Sequence, residues 1–156
     1  MEFEKYLYRG LKKDEIEARQ LIPKGILTFE NIKVITANSG GSYDQQKLPP
    51  IIQVKAHIDK LPTSGVSTST SEEIARKYAG EGYVARISRK NLEAVGIKEI
   101  VVKKIINPAY LLKPEDEEII LHWPGKEGIR FPSKIIEDVY KVCKDPGSAL
   151  SSKTCI

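Results

Sequence analysis

Histidine, cysteine, methionine and tryptophan are all scarce in this 156-residue chain, which has two His, two Cys, one Met and one Trp. His57 and His122 lie far apart and Cys143 and Cys155 both fall near the C-terminus, so neither a disulfide framework nor a metal site is expected. No stretch approaches the roughly 18 to 20 consecutive apolar residues of a membrane helix, and no membrane partner is expected. The Gly-x-Gly-x-x-Gly and P-loop patterns are absent, which removes the two commonest nucleotide-binding signatures. A concentrated basic block is also missing. Lys and Arg exceed Asp and Glu by 25 to 21, a net +4, but the excess is spread out in pairs such as Lys12-Lys13 and Lys103-Lys104. A nucleic-acid partner is therefore not expected, since such proteins gather their charge on one face. The first residues, Met-Glu-Phe-Glu-Lys, lack a basic stretch followed by an apolar run, so no standard secretory signal is expected and the localisation stays open.

What is present is the composition of an ordinary globular chain, with 40% hydrophobic and 29% charged residues. The length suits one domain, taken as residues 1–144, followed by a polar and flexible tail over 145–156. Lys5 to Arg9, with Tyr6 and Tyr8, reads as a strand ending at Gly10. Lys13 to Leu21 reads as a short helix with Asp14 and Glu15 in its first turn, closed by Pro23 and Gly25. Asn38 to Pro50, rich in Gly, Pro, Ser and Gln, reads as a long mobile loop. Gly65 to Thr70 is a strand that runs into a helix over Ser71 to Ala79. Strands follow at Tyr83–Ile87, Glu99–Ile106 and Ile119–Leu121, with a short helix or turn at Asn91–Val95 and a turn at Pro124–Gly128. The stretch Lys134–Val142 is ambiguous, and strand is favoured. Short strands without a regular strand-helix repeat predict an α+β domain, not a doubly wound sheet.

Three blocks carry candidate chemistry: Tyr8-Arg9-Gly10, then Ser67-Thr68-Ser69 ahead of a helix, then Asp116-Glu117-Glu118-Ile119 leading into a strand. Taken singly, each has an ordinary explanation: a surface charge, a strand edge with a helix cap, a solvated acidic loop. In this order, over most of the chain, they resemble the arginine, Ser-Thr-Ser and acidic-x-Glu pattern of the cholera-toxin-like mono-ADP-ribosyltransferases, a family that includes many bacterial toxins and effectors. The resemblance implies two short packed, mostly antiparallel sheets with flanking helices. It also implies a pentosyl-transferring enzyme that moves ADP-ribose from NAD+ to a side chain of a target protein and releases nicotinamide, and delivery into a target cell by a specialised route. NAD+ is then a co-substrate and no metal is required. An NAD+ glycohydrolase, and a module that binds NAD+ without catalysis, are the alternatives.

Residue by residue, the resemblance makes Glu118 catalytic, because it stands directly before the aliphatic run Ile119-Ile120-Leu121. A frame shifted onto Glu115 and Glu117 is the alternative. Ser67 would orient Glu118, and Arg9 would bind the phosphates or ribose of NAD+ and tie its strand to a neighbour. Gly10 would let the backbone approach the nicotinamide amide, and Thr68 and Ser69 would complete the cofactor-binding strand. Asp116, two residues before Glu118, would help select the acceptor; its carboxylate suits an arginine. The preceding loop, residues 107–115, would meet the protein acceptor, with Tyr110 as its contact. The chemistry is coherent: loss of nicotinamide leaves oxocarbenium-like charge on the ribose, which an aimed carboxylate stabilises, and the leaving group, already cationic in the substrate, needs no general acid. His57, Trp123 and Arg86 read as structural, since a lone His or Trp among apolar neighbours usually is.

Overall fold

The computed structural model of the protein describes residues 5–25, 33–37, 43–47, 54, 55, 57, 58, 63–111 and 117–142. In chain order the elements are β1 (Tyr6–Gly10), α1 (Lys13–Ala18), β2 (Lys33–Ala37), β3 (Tyr43–Lys47), β4 (Val66–Ser69), α2 (Glu72–Lys77), β5 (Tyr83–Ser88), α3 (Arg89–Val95), β6 (Lys98–Val101), α4 (Val102–Ile105), β7 (Glu118–His122) and β8 (Ile136–Lys141). Single 3₁₀ turns lie at Pro108–Tyr110 and Ser133–Ile135. The fold is mixed α and β, built on one six-stranded sheet in the order β6-β7-β4-β1-β5-β8 with every pairing antiparallel.

Of the expected pair of packed, mostly antiparallel sheets with flanking helices, the antiparallel pairing and the mixed α and β character are present. Among the described residues the strands form this single sheet and a separate two-stranded ribbon, β2 with β3. The sheet is nonetheless two three-stranded halves with a narrow joint. Pairs such as β4 with β7 and β1 with β5 run in register over four and five residues, whereas β1 meets β4 only at Tyr8 opposite Ser69. Continuing that register would set Gly10 opposite Ser67, and the ladder does not continue. The halves part at that point, and the opening becomes the site described below.

Strand alternation assigns the two faces. Leu7, Val66, Ala85, Ile87, Ile119 and Leu121 point to one face and join Leu11, Leu21, Leu92, Phe131 and Ile135 in the main core. The opposite face carries two smaller apolar groups. Ile120 packs with Val54, Val102 and Ile106 at one end, and Val84 with Ala75, Ala79 and Val142 at the other. Helices begin where hydroxyls can cap them: Ser71 Oγ accepts from Ile74 N–H at 3.4 Å, and Ser88 Oγ from Asn91 N–H at 3.1 Å. Gly96 ends α3 at φ 86°, the left-handed conformation that favours glycine.

Three expectations about the elements fail for identifiable reasons. The strand expected over Glu99–Ile106 stops at Val101, and Val102–Ile105 is helical. Val102 and Ile106, four apart, are both buried against Ile120 while Lys103 and Lys104 stay exposed. A continued strand would have turned Lys104 to the same side as Val102, so the four-residue spacing overrides the β-branched propensity. The loop expected over Asn38–Pro50 contains β3, paired with β2 from Ala37 opposite Tyr43 to Lys33 opposite Lys47. Polar residues at Asp44, Gln45 and Gln46 hide the alternation that normally signals a strand. The helix expected to reach Leu21 ends earlier, with Arg19 at φ 53° as its cap. The expected tail lies outside the described residues.

Candidate functional site

Where the halves of the sheet part, a cleft of about 410 Å³ opens, lined by β1, β4, α2, the start of β7 and the segments around Lys12 and Lys24. Ser69 lies opposite both Tyr8 and Glu118, and Ser67 opposite Ile120. Alternation therefore turns Tyr8, Ser67, Ser69 and Glu118 to one face, between the two small apolar groups. Ser67 Oγ donates to Glu118 Oε2 at 2.6 Å, which fixes the carboxylate against β4.

Arg9 belongs by alternation to the other face, with Leu7 and Ala85. Its guanidinium reaches the cleft because the sheet is open beside it. Nη1 donates 2.8 Å to the Ser67 carbonyl, the acceptor that a continued β1 ladder would have engaged. The expected tie between two strands is thus made by a side chain at the point where the backbone ladder lapses. Arg9, Ser67 and Glu118 all line this one cleft.

Two residues of the site went unread in the sequence. From the sequence Glu15 is a first-turn residue of α1, yet it is fully buried. Its carboxylate accepts from Arg9 Nε at 3.1 and 3.2 Å and from Nη2 at 3.1 Å, and also from the backbone N–H of Lys12 at 3.1 Å and of Ile22 at 2.9 Å. The available signal was its spacing three residues after Lys12, the reach-back geometry of a capping box.

The structural reading of His57 is corrected: it lines the cleft. Its Nε2 lies 2.7 Å from Ser67 Oγ, 3.8 Å from Glu118 Oε2, and its Nδ1 is 2.6 Å from Thr63 Oγ1. Burial, reinforced by Lys24, Arg9 and Lys12, lowers its pKa to about 4, so the ring is neutral near pH 7. Because Ser67 spends its one proton on Glu118, His57 Nε2–H donates to Ser67 and Nδ1 accepts from the Thr63 hydroxyl. A single hydrogen-bonded row, Thr63 to His57 to Ser67 to Glu118, therefore points at the carboxylate. Nothing near His57 in the sequence announces this, since ten residues separate it from Ser67.

Gly10 lines the cleft, but the space where its side chain would sit is filled by helix α2. A Cβ there would lie 2.5 Å from the Ala75 carbonyl oxygen and from Ala79 N. The absence of a side chain serves helix packing, whatever else the backbone meets. Thr68 borders the cleft, but its hydroxyl donates to the Ile119 carbonyl at 2.7 Å and is committed there. Ser69 Oγ accepts from Ser71 N–H at 3.0 Å and braces the turn into α2. Glu117, the alternative centre, has φ 48° and engages the Thr70 hydroxyl and, at 3.6 Å, Lys103 Nζ. Glu118, one residue on, is the carboxylate bonded to Ser67. Tyr110 is 83% exposed on its 3₁₀ turn, while Asp116 and Glu115 lie outside the described residues. Trp123 and Arg86 do not line the cleft. The Trp123 indole donates to the Val95 carbonyl at 3.1 Å, and Arg86 stacks over Tyr6 at 4.9 Å.

One part of the cleft lining is basic. Lys12, Lys24 and Arg9 converge there closely enough that burial, then Arg9 and Lys24, lower the Lys12 pKa. Such a wall suits an anion, while the exposed ring of Tyr78 offers an apolar surface beside it. Among the described residues no group of three or more His, Cys, Asp or Glu side chains is placed to hold a metal ion, and no helix is long and apolar enough to cross a membrane. No protein-family model matches the chain, and no curated protein is significantly similar to it.

Proposed function

We propose that the chain is the catalytic domain of a mono-ADP-ribosyltransferase that transfers ADP-ribose from NAD+ to a side chain of a target protein, as a bacterial toxin or effector does. The observation that carries this reading is the meeting of Arg9, Ser67 and Glu118, from three separate parts of the sequence, in one cleft with Ser67 Oγ donating to Glu118 Oε2 across 2.6 Å. A carboxylate so held loses little freedom on aiming at the ribose.

In the proposed reaction the basic wall binds the diphosphate and Glu118 faces the nicotinamide ribose, accepting from its 2′-hydroxyl. The bond from the ribose anomeric carbon to the nicotinamide nitrogen breaks, its electron pair leaving with neutral nicotinamide. Glu118 stabilises the positive charge left on the sugar. A nucleophile of the target, an arginine nitrogen in the reading favoured by Asp116, bonds to the anomeric carbon and releases its proton. Ser67, steadied by neutral His57, keeps Glu118 in the orientation this requires.

The test is nicotinamide release from NAD+ together with transfer of labelled ADP-ribose to proteins of a cell lysate, using the native chain and Glu118→Gln. Release with labelling of a discrete protein, both lost in the variant, is the expected result. Release without labelling across varied lysates would make the protein a glycohydrolase, and saturable NAD+ binding without turnover would make it a binding module. Full activity in Glu118→Gln would remove Glu118 from the centre of the reaction.

A further inference from the structure

Glu15 is a fully buried carboxylate to which the proposed chemistry gives no task. Isolated buried charges are costly, so its partners define what it does. All of them are N–H donors: the Arg9 guanidinium through Nε and Nη2, the Lys12 amide and the Ile22 amide. Both carboxylate oxygens are engaged, each by Arg9 and by one backbone amide. The two amides lie in separate segments that each carry a lysine to the basic wall, Lys12 itself and Lys24 two residues beyond Ile22. One side chain thus holds the Arg9 guanidinium and the backbone of the two segments that carry Lys12 and Lys24 to this cleft.

We propose that Glu15 is a positioning residue that presets the basic wall for a diphosphate. An unrestrained arginine or lysine at a cleft edge spreads over many rotamers, and ordering it on binding costs affinity. For Arg9 the order exists beforehand, and for Lys12 and Lys24 the backbone they spring from is fixed. The bond from Arg9 Nη1 to Ser67 carries the same restraint onto the strand that holds Glu118, so the anion site and the reacting carboxylate share one frame. Glutamate is required at this position because every partner donates. Glutamine would set an NH2 group against an N–H on one side of the side chain. Aspartate, one methylene shorter, does not span from α1 to both amides and Arg9 together.

The inference rests on the NAD+ reading for its natural ligand, and its test uses inorganic diphosphate and ADP-ribose as separate probes. Binding of each is measured by calorimetry on native protein, Glu15→Gln, Arg9→Gln and the double variant, each confirmed as folded by circular dichroism and a thermal melt. KM and kcat for nicotinamide release are measured alongside. Removal of a charge-assisted anchor is expected to weaken diphosphate and ADP-ribose binding by about 10- to 100-fold in Glu15→Gln. KM should rise correspondingly and kcat change less. Arg9→Gln should lose binding and melt earlier, because it strands the buried carboxylate. The double variant should melt later than Arg9→Gln and bind no more weakly, since Glu15 acts through Arg9.

Folded Glu15→Gln with native affinity for both probes overturns the inference, as does an additive loss in the double variant, which would mark Glu15 as a general structural residue. If Glu15→Gln is too unstable to measure, the comparison of Arg9→Gln with the double variant decides: a further drop in affinity on adding Glu15→Gln overturns the inference. Native protein that binds diphosphate in a Glu15-dependent way but neither binds nor cleaves NAD+ would sink the NAD+ reading and leave the role of Glu15 intact. Native protein that binds neither probe defeats the inference outright.

Discussion

The two faces of the six-stranded sheet are built from the same strands and do different things. One is a continuous apolar core running from Leu7 across Ile87, Leu121 and Phe131. The other is interrupted: two small apolar groups flank Ser67, Ser69 and Glu118. Neighbouring residues of one strand serve opposite ends. On β4, Val66 enters the main core, Ser67 faces the cleft, and Thr68 turns back to bond Ile119. The continuous face supplies stability, and the interrupted face places polar groups where a sheet would otherwise need apolar cover. Only a stiff opposite face makes such an interruption tolerable.

This contrast can be broken from either side. The largest effect is expected from Glu118→Gln, which removes the charge of the interrupted face: under the proposed function nicotinamide release should fall by about a thousandfold, near 4 kcal/mol in the barrier, with the melting temperature little changed. On the continuous face, Leu7→Ala should cost about 3 to 4 kcal/mol in a denaturant titration, leaving a cavity among well-packed neighbours. Gly10→Ala tests where the faces meet. With Ala75 O 2.5 Å from the new Cβ, α2 must move, and about 3 kcal/mol of stability should go along with the shape of the cleft.

His57 sharpens the comparison through pH. Its pKa is lowered in the folded state to about 4 from 6.5, so between those values the unfolded chain binds the extra proton. Its contribution is fully present above about pH 6.5 and is lost as pH falls through about 4, amounting to at most about 3 kcal/mol. His57→Asn should flatten this part of a stability profile measured from pH 7 to 4. The smallest effect is expected from Trp123→Phe, which forfeits the bond to the Val95 carbonyl and costs about 1 kcal/mol, with nicotinamide release unaltered.

Much of this was legible in the chain. Strand-forming residues in Lys5–Arg9, Gly65–Thr70 and Tyr83–Ile87 and the apolar run Ile119–Leu121 predict four of the strands to within a residue or so, and Ser71 predicts the start of α2. The three chemistry-bearing blocks could be named, because each is a short local pattern. The fate of Val102–Ile105 was less legible, since its apolar spacing fits two periods until Ile120 and Val54 are in place to receive one of them.

Sequence by itself determined the mixed α and β character and most strand positions, since local propensity and periodicity act over a few residues, while Arg9, Ser67 and Glu118 were singled out by the resemblance of their three blocks to a known pattern. Tertiary structure alone decided three things: that the ladder between β1 and β4 lapses after one pair, that the Arg9 guanidinium passes through the gap, and that Glu15 and His57 belong to the site. Each depends on groups brought together by folding, and a carboxylate or an imidazole has no distinct meaning until its burial and its partners exist.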